Sequence, residues 1–166
     1  MAEQQNNLLW TACSDGRVEE VREALAAGAD PNARGGPYNT TCLMVAAWGN
    51  HSGVVELLLS TQGIQVNAKS ECGSTALHKA CASGSPASLA LIVKSPGVQL
   101  NERDGSGWTP IMCAIGSQLD TTQAVLQMAA LPDVCLDEDE KGRSMEEIAY
   151  RWVRKLSWLV LLSLSI

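Results

Sequence analysis

Hydrophobic and polar positions recur along this chain with a period of about 34 residues. The pattern is clearest in residues 75–81, where a threonine begins the heptad TALHKAC. Related heptads begin at residue 41 (TCLMVAA) and residue 109 (TPIMCAI), and looser ones begin at residues 7 and 144. The steps between these anchors are therefore 34, 34, 34 and 35 residues. A repeat of this length is one supersecondary unit that is too small to bury its own apolar face, so the period predicts units that stack on one another.

Each heptad predicts the first helix of its unit, called helix A. The anchor threonine or serine can cap the helix with its hydroxyl, and Pro110 stands at the first helical position, where proline is tolerated. A small residue five positions after each anchor indicates close helix packing, at Ala12, Ala46, Ala80, Ala114 and Ala149. A left-handed turn that ends helix A is predicted nine positions after three of the anchors, at Gly16, Asn50 and Gly84.

A second helix, called helix B, is predicted in each unit by apolar residues at helical spacing. They include Val18, Val21 and Leu25, then Val55, Leu58 and Leu59, then Leu89, Ile92 and Val93. Each unit closes with a finger, such as residues 28–33 (GADPNA) or 66–68 (VNA), and a glycine lies two residues before the next anchor. Asn39 fills that glycine position in the second unit, which predicts a positive φ there.

This order of helix, turn, helix and finger resembles the ankyrin repeat over residues 7–150. The resemblance implies an all-α repeat solenoid of stacked ankyrin-type helix-turn-helix units with β-hairpin finger loops. We divide the chain into a polar N-terminal tail (1–6), an ankyrin array of about four full repeats plus a partial fifth (7–150), and an apolar C-terminal segment (151–166). The chain departs from the pattern in the finger at residues 35–37, before Asp137, and after Ala149, where no glycine follows.

Charge argues against a nucleic-acid partner. Residues 1–140 hold 7 basic and 16 acidic side chains, and the whole chain has a net charge of −6. Such a field repels phosphate backbones. The acidic run at residues 137–140 lacks the alternating ligand spacing of a calcium loop. The first residues contain no basic region followed by an apolar run, so we expect no secretory signal and a cytoplasmic location, with the nucleus as the alternative.

The sequence lacks the residue patterns that catalysis or metal binding would need. The two histidines, His51 and His78, both fall at positions that are structural in the repeat. No Cys-x-x-Cys pair, phosphate-binding loop or nucleophile elbow is present, and the cysteines are expected to be free, buried thiols. We therefore expect no enzyme activity, no cofactor, no metal and no small-molecule substrate.

The resemblance implies a protein partner of unknown identity, bound on a concave face formed by the finger tips and the exposed positions of helix A. The candidate partner-binding residues are Tyr38, Trp48, Glu71, Ser74, Ser83, Ser106, Trp108, Lys141 and Arg143, and the face also includes Pro37, Thr40, Cys72, Ala82 and Ser117. Two interpretations of Trp48 stay open, a binding hot spot and local packing on Tyr38 or a neighbouring helix. Trp108 is expected to pack against the next finger, and Trp10 to lie in the core.

The sequence therefore favours a non-enzymatic protein-protein interaction scaffold. One alternative is a membrane-associated adaptor that uses residues 156–166, although these 11 residues would reach only about 16 Å as a helix, roughly half of a bilayer core. Another alternative is the N-terminal fragment of a larger ankyrin-containing protein. We expect residues 151 to 162 to form helix B of the fifth unit, packed against Val125, Leu126 and Met128.

Overall fold

A computed structural model describes residues 2–117 and 121–134 of the chain. In these ranges the chain forms eight α-helices and one two-stranded hairpin. In chain order they are α1 (Ala2–Asp15), α2 (Val18–Ala26), β1 (Arg34–Gly35), β2 (Thr40–Thr41), α3 (Cys42–Trp48), α4 (Ser52–Ser60), α5 (Ala76–Ser83), α6 (Pro86–Ile92), α7 (Pro110–Gly116) and α8 (Thr122–Ala129).

The helices form two layers, as the 34-residue period predicts. Helices A of successive units, α1, α3, α5 and α7, contact one another in chain order. Helices B, α2, α4, α6 and α8, do the same in the second layer, and each contacts the helix A of its own unit. The all-α repeat solenoid is confirmed.

Alanines make the close approach of the helices A possible. The alanine five residues after each described anchor is at most 2% exposed, at Ala12, Ala46, Ala80 and Ala114. Larger aliphatic side chains from both layers fill the space around them, including Leu43, Leu58, Leu77 and Leu89, each at most 1% exposed. The hydrophobic core is therefore a continuous strip between the two helix layers and not the compact central core of a globular domain.

The predicted hydroxyl cap at the start of helix A is present in two of the units. The Thr41 hydroxyl accepts a hydrogen bond from the Met44 amide at 3.3 Å, and Thr75 caps α5 in the same way. At Thr109 the prediction is wrong, because this hydroxyl caps no amide and is buried with no hydrogen-bond partner. Pro110 occupies the first turn of α7, as expected.

Left-handed residues end helix A where the sequence predicts them. The φ angles are 74° at Gly16, 54° at Asn50 and 66° at Gly84. Asn39 has a φ of 51°, which confirms the predicted positive angle in the finger between α2 and α3. A side chain with a short amide tolerates this region, which otherwise favours glycine.

The fingers are joined to each other by backbone hydrogen bonds, from the Glu71 amide to the Tyr38 carbonyl at 3.1 Å and from the Gly105 amide to the Cys72 carbonyl at 2.8 Å. Only the finger between α2 and α3 has strand geometry in the described residues, with Arg34 paired to Thr41 and Gly35 to Thr40. The later fingers are turns, closed by bonds such as Asp104 N–H to the Trp108 carbonyl at 2.9 Å. The predicted β-hairpin is therefore present in one finger, and turns take its place in the next two.

A ladder of asparagine side chains joins consecutive units near their helix B ends. Asn32 donates to the Gly63 carbonyl at 2.9 Å and accepts from the Gln65 amide at 2.8 Å. One unit later Asn67 makes the equivalent bonds to Gly97 and Gln99, at 2.7 and 2.9 Å. Asn101 donates to the Asp133 carbonyl at 2.7 Å in the following unit.

The beginning of the chain differs from the prediction. Residues 2–6 are not a tail, because they form the first turns of α1. Alanine, glutamate and glutamine at these positions are strong helix formers, and the Asn6 side chain accepts a hydrogen bond from the Asp30 amide at 2.9 Å. The partial fifth repeat and the apolar segment 151–166 lie outside the described residues.

Candidate protein-binding surface

Trp48 stands in a row of otherwise small residues on the helix A layer. The positions seven residues after the four described anchors are Ser14, Trp48, Ala82 and Gly116. Trp48 is the one large side chain of this row, and it is 51% exposed. Since its neighbours in the row are small, the indole borders open space on the helix A layer.

A cleft of about 330 Å³ occupies this space. Its lining comes from α1, the first finger, α3 and α5, and includes Ser14, Tyr38, Met44, Val45, Trp48 and Lys79. Met44, Val45 and Trp48 lie on one face of α3 because they are three and four residues apart. Tyr38 is 54% exposed whereas Met44 is 1% exposed. The two aromatic rings are therefore at the mouth of an apolar cleft.

The backbone of Tyr38 is fixed by contacts on both sides of its finger. A Cβ placed on Gly35 would lie 2.8 Å from the Trp10 ring, so the indole of Trp10 packs directly against the hairpin. The Trp10 Nε1–H group donates to the Thr40 carbonyl at 2.9 Å. On the other side, the Glu71 amide donates to the Tyr38 carbonyl at 3.1 Å. A fixed finger reduces the ordering cost of binding.

Trp10 itself is partly buried and packs on the edge of the core, with its ring against the finger. The expectation that it lies in the core is therefore only partly met. Its contribution to the surface is indirect, since it holds the hairpin that carries Tyr38.

Trp108 lies away from the cleft. Its ring covers Gly116 so closely that a Cβ there would overlap it. The indole thus fills the space that a side chain would occupy in the row of Trp48. The finger that follows α8, against which Trp108 is expected to pack, lies outside the described residues. Its role in partner binding stays a prediction.

The other predicted partner-binding residues differ in their exposure to solvent. Glu71 and Ser106 are exposed at finger tips. Ser74 is 7% exposed, and its expected exposure is wrong, because the Ser70 amide donates to the Ser74 carbonyl at 3.0 Å and closes the turn over it.

Ser83 is partly buried, and its hydroxyl lies 2.6 Å from the Ser85 hydroxyl. Lys141 and Arg143 lie outside the described residues. Of the predicted residues, the structure brings Tyr38 and Trp48 together in one cleft.

Sequence reasoning missed Lys79, which also lines this cleft. Lys79 lies four residues after its anchor, and Val45 holds the equivalent position one unit earlier. Because equivalent residues of neighbouring helices A lie side by side, this alignment is the signal that would have placed Lys79 next to the cleft.

His78 is held as a neutral, structural residue. The Thr75 amide donates to His78 Nδ1 at 3.2 Å, so Nε2 carries the proton and donates to the Trp108 carbonyl at 2.9 Å. Burial lowers the pKa of His78, against the opposing effects of the Trp108 carbonyl and Asp104. The Nε2 atom of His51 likewise lies 3.0 Å from the carbonyl oxygen of Ser14.

Other kinds of site are not formed in the part of the chain that the structure describes. Among residues 2–117 and 121–134, His, Cys, Asp and Glu form no group suited to a metal ion. No helix within these ranges has the length and apolar character needed to cross a membrane. The outer surface of α1 carries a shallow patch that includes Leu8, which is 61% exposed.

The sequence matches a family model of ankyrin repeats, described as three copies, over residues 2–70 and 62–134. The match covers most of the chain and coincides with the four described units. The chain belongs to the ankyrin repeat family. Ankyrin repeats are protein-protein interaction modules, and the family is generally non-enzymatic.

Several ankyrin-containing proteins are similar to this chain. It is 39% identical over 77 residues to mouse protein fem-1 homolog A-like, which covers 46% of the chain and 11% of that protein. It is 32% identical over 107 residues to human Rabankyrin-5, covering 64% of the chain and 9% of the relative. The E3 ubiquitin-protein ligase KEG of Arabidopsis thaliana is 34% identical over 143 residues, covering 81% of the chain and 9% of the ligase. The chain thus spans about a tenth of the length of these relatives.

Proposed function

We propose that this chain is a non-enzymatic scaffold that binds a partner protein on the concave face of its ankyrin stack, with Trp48 and Tyr38 as the principal contacts. One observation carries the proposal. Two aromatic side chains, each more than half exposed, line the same cleft on the face formed by the helices A and the fingers. Aromatic residues that become buried in an interface contribute a large share of its binding energy.

The two histidines support a role without catalysis. Both ring nitrogens of His78 make hydrogen bonds within the fold, and its pKa is lowered by burial. His51 Nε2 lies at hydrogen-bond distance from a main-chain carbonyl at the end of α1. Neither imidazole lines the cleft, so neither is placed to exchange a proton with a molecule bound there.

Replacing Trp48 with alanine tests the proposal. Because the indole is half exposed in the free protein, its removal should change the melting temperature little. Loss of a central aromatic contact should weaken partner binding by about 2 kcal/mol, or roughly thirtyfold in Kd. The measurement is affinity capture from a lysate of the native cells with the full chain and with W48A, followed by titration of the captured protein.

Leu8→Ala is the matched control, since it also removes a largely exposed apolar side chain but lies on the outer face of α1. The proposal expects L8A to bind as the wild type does. Equal capture by wild type and W48A, with loss in L8A, would move the binding surface to α1 and contradict the proposal. A large fall in the melting temperature of W48A without selective loss of binding would favour the local-packing interpretation.

A further inference from the structure

We propose that the cleft beside Trp48 recognises a partner segment that presents a large apolar side chain next to a carboxylate, with the carboxylate paired to Lys79. This inference rests on the proposed function and adds the chemistry of the partner. Three observations support it: the size of the cleft, the Lys79 side chain in its lining, and the absence of Lys79 from the ion pairs of the described residues.

The size of the cleft favours one or two side chains rather than a whole folded element. Its volume of about 330 Å³ is near the lower end of the range for ligand pockets, about 300–1,000 Å³. The lining from Met44, Val45 and the two aromatic rings is apolar, and burial of an apolar group there contributes free energy in proportion to the area removed from water. A large aliphatic or aromatic side chain meets both requirements.

Lys79 adds a basic side chain to the lining of the cleft and forms no ion pair with the described residues. The ion pairs within residues 2–117 and 121–134 join Arg17 to Asp15 and Glu20, Arg22 to Glu19, and Lys69 to Glu102. Lys79 takes part in none of them, although it is partly buried. Because the Lys79 side chain lines the cleft together with Tyr38 and Trp48, its charge is available to a carboxylate of the partner.

Two other ligand chemistries fit the cleft less well. Exposed aromatic faces can bind a cation, but the ammonium of Lys79 in the same cleft repels a second positive charge. A nucleic-acid phosphate could pair with Lys79, but residues 1–140 hold 16 acidic side chains against 7 basic ones, which disfavours a polyanion. A single carboxylate beside an apolar side chain satisfies the local charge without requiring a basic surface around it.

Peptide selection with charge reversal tests the inference. A phage-displayed library of random dodecapeptides is panned against the full chain and, in parallel, against K79E and W48A. The wild type should enrich peptides with a large apolar residue and an aspartate or glutamate close to it, and W48A should not retain them. K79E should instead enrich lysine or arginine at the acidic position, because the charge that selects the partner is inverted.

Lys94→Glu is the matched control, since it makes the same change of net charge at an exposed residue just after α6, away from the cleft. K94E should select the wild-type motif. For a selected peptide, K79E should weaken binding about five- to tenfold while K79R keeps most of the affinity. Circular dichroism and thermal melting establish that each variant is folded before panning.

The outcomes separate the two proposals. If the enriched peptides depend on Trp48 but K79E and K94E select the same motif, the carboxylate recognition is wrong and the proposed function stands. Enrichment of basic peptides by the wild type would also overturn the inference. If no enriched peptide depends on Trp48, both the inference and the proposed binding role of the cleft fail.

Discussion

Trp48 and Trp108 belong to the same residue type and the same face of the stack, but their rings contact different things. Trp108 lies against the backbone of Gly116, whereas Trp48 borders a cleft and stays half exposed. The difference depends on the residue seven positions after the anchor of the same unit, which is Gly116 beside Trp108 and is Trp48 itself in the second unit. Where the position seven after the anchor is glycine, as at Gly116, a nearby indole packs onto the helix. Where the tryptophan itself holds that position, as at Trp48, the indole stays at the surface.

The buried histidine makes stability depend on pH. The pKa of His78 is lowered by burial, while in the unfolded chain it is about 6.5. Below that value the unfolded state binds more protons than the folded state, so the free energy of unfolding falls as pH decreases from about 6.5. Above it, His78 is neutral in both states and its contribution is fully present. Protonation of Nδ1 would also remove the acceptor of the Thr75 amide.

His78→Met is a suitable comparison, because methionine occupies the same position in the neighbouring units, at Met44 and Met112. Urea unfolding from pH 7.5 to 5 should show a steeper loss of stability in the wild type than in H78M. Parallel slopes for the two proteins would show that His78 does not titrate on folding, and would contradict this prediction.

At the scale of one helix, Gly116 and Trp108 are coupled through direct contact. Alanine at Gly116 would raise helix propensity by about 1 kcal/mol, but its Cβ would overlap the indole ring. Forced overpacking of this kind costs about 1–3 kcal/mol, so we expect G116A to be destabilising. In a W108A background the overlap is absent, and the same substitution should be stabilising.

A double-mutant cycle measured by urea unfolding checks this sign change. The coupling free energy between the two positions should be at least about 1 kcal/mol. Equal effects of G116A in both backgrounds would show that the ring moves aside at no cost.

The elements themselves follow closely from local sequence. Gly16, Asn50 and Gly84 end the helices A in left-handed conformation because few other residues tolerate that backbone. The burial of Ser74 did not follow, because it depends on a hydrogen bond that closes the turn above it. Lys79 was missed for a related reason. The cleft exists because the residues next to Trp48 in the adjacent units are small, so its lining depends on several units and not on the local sequence around Lys79.

At the scale of the whole molecule, the units are joined by polar side chains as well as by the apolar strip. Asn67 bonds to two backbone groups of the next unit, and the equivalent Asn32 does so one unit earlier. Stability in a repeat array is approximately the sum of unit terms and nearest-neighbour interface terms. A side chain that bridges two units therefore contributes to cooperativity as well as to stability.

We expect N67A to lose about 1–3 kcal/mol of stability, because two hydrogen bonds between units are removed. If the interface is weakened enough for the two sides to unfold separately, the urea m-value falls and the transition broadens. N67D retains the acceptor for the Gln99 amide and should recover part of the loss. A variant N67A as stable and as cooperative as the wild type would contradict the prediction.

The buried alanine row and the row that contains Trp48 are two residues apart on the same helices. Four alanines occupy the first row, while serine, tryptophan, alanine and glycine occupy the second. Folding therefore requires a small side chain in the first row, whereas the second row accepts side chains from glycine to tryptophan. A tryptophan placed at Ala82 would add a second aromatic platform one unit along, so new recognition could evolve by single substitutions while the inherited scaffold remained the same.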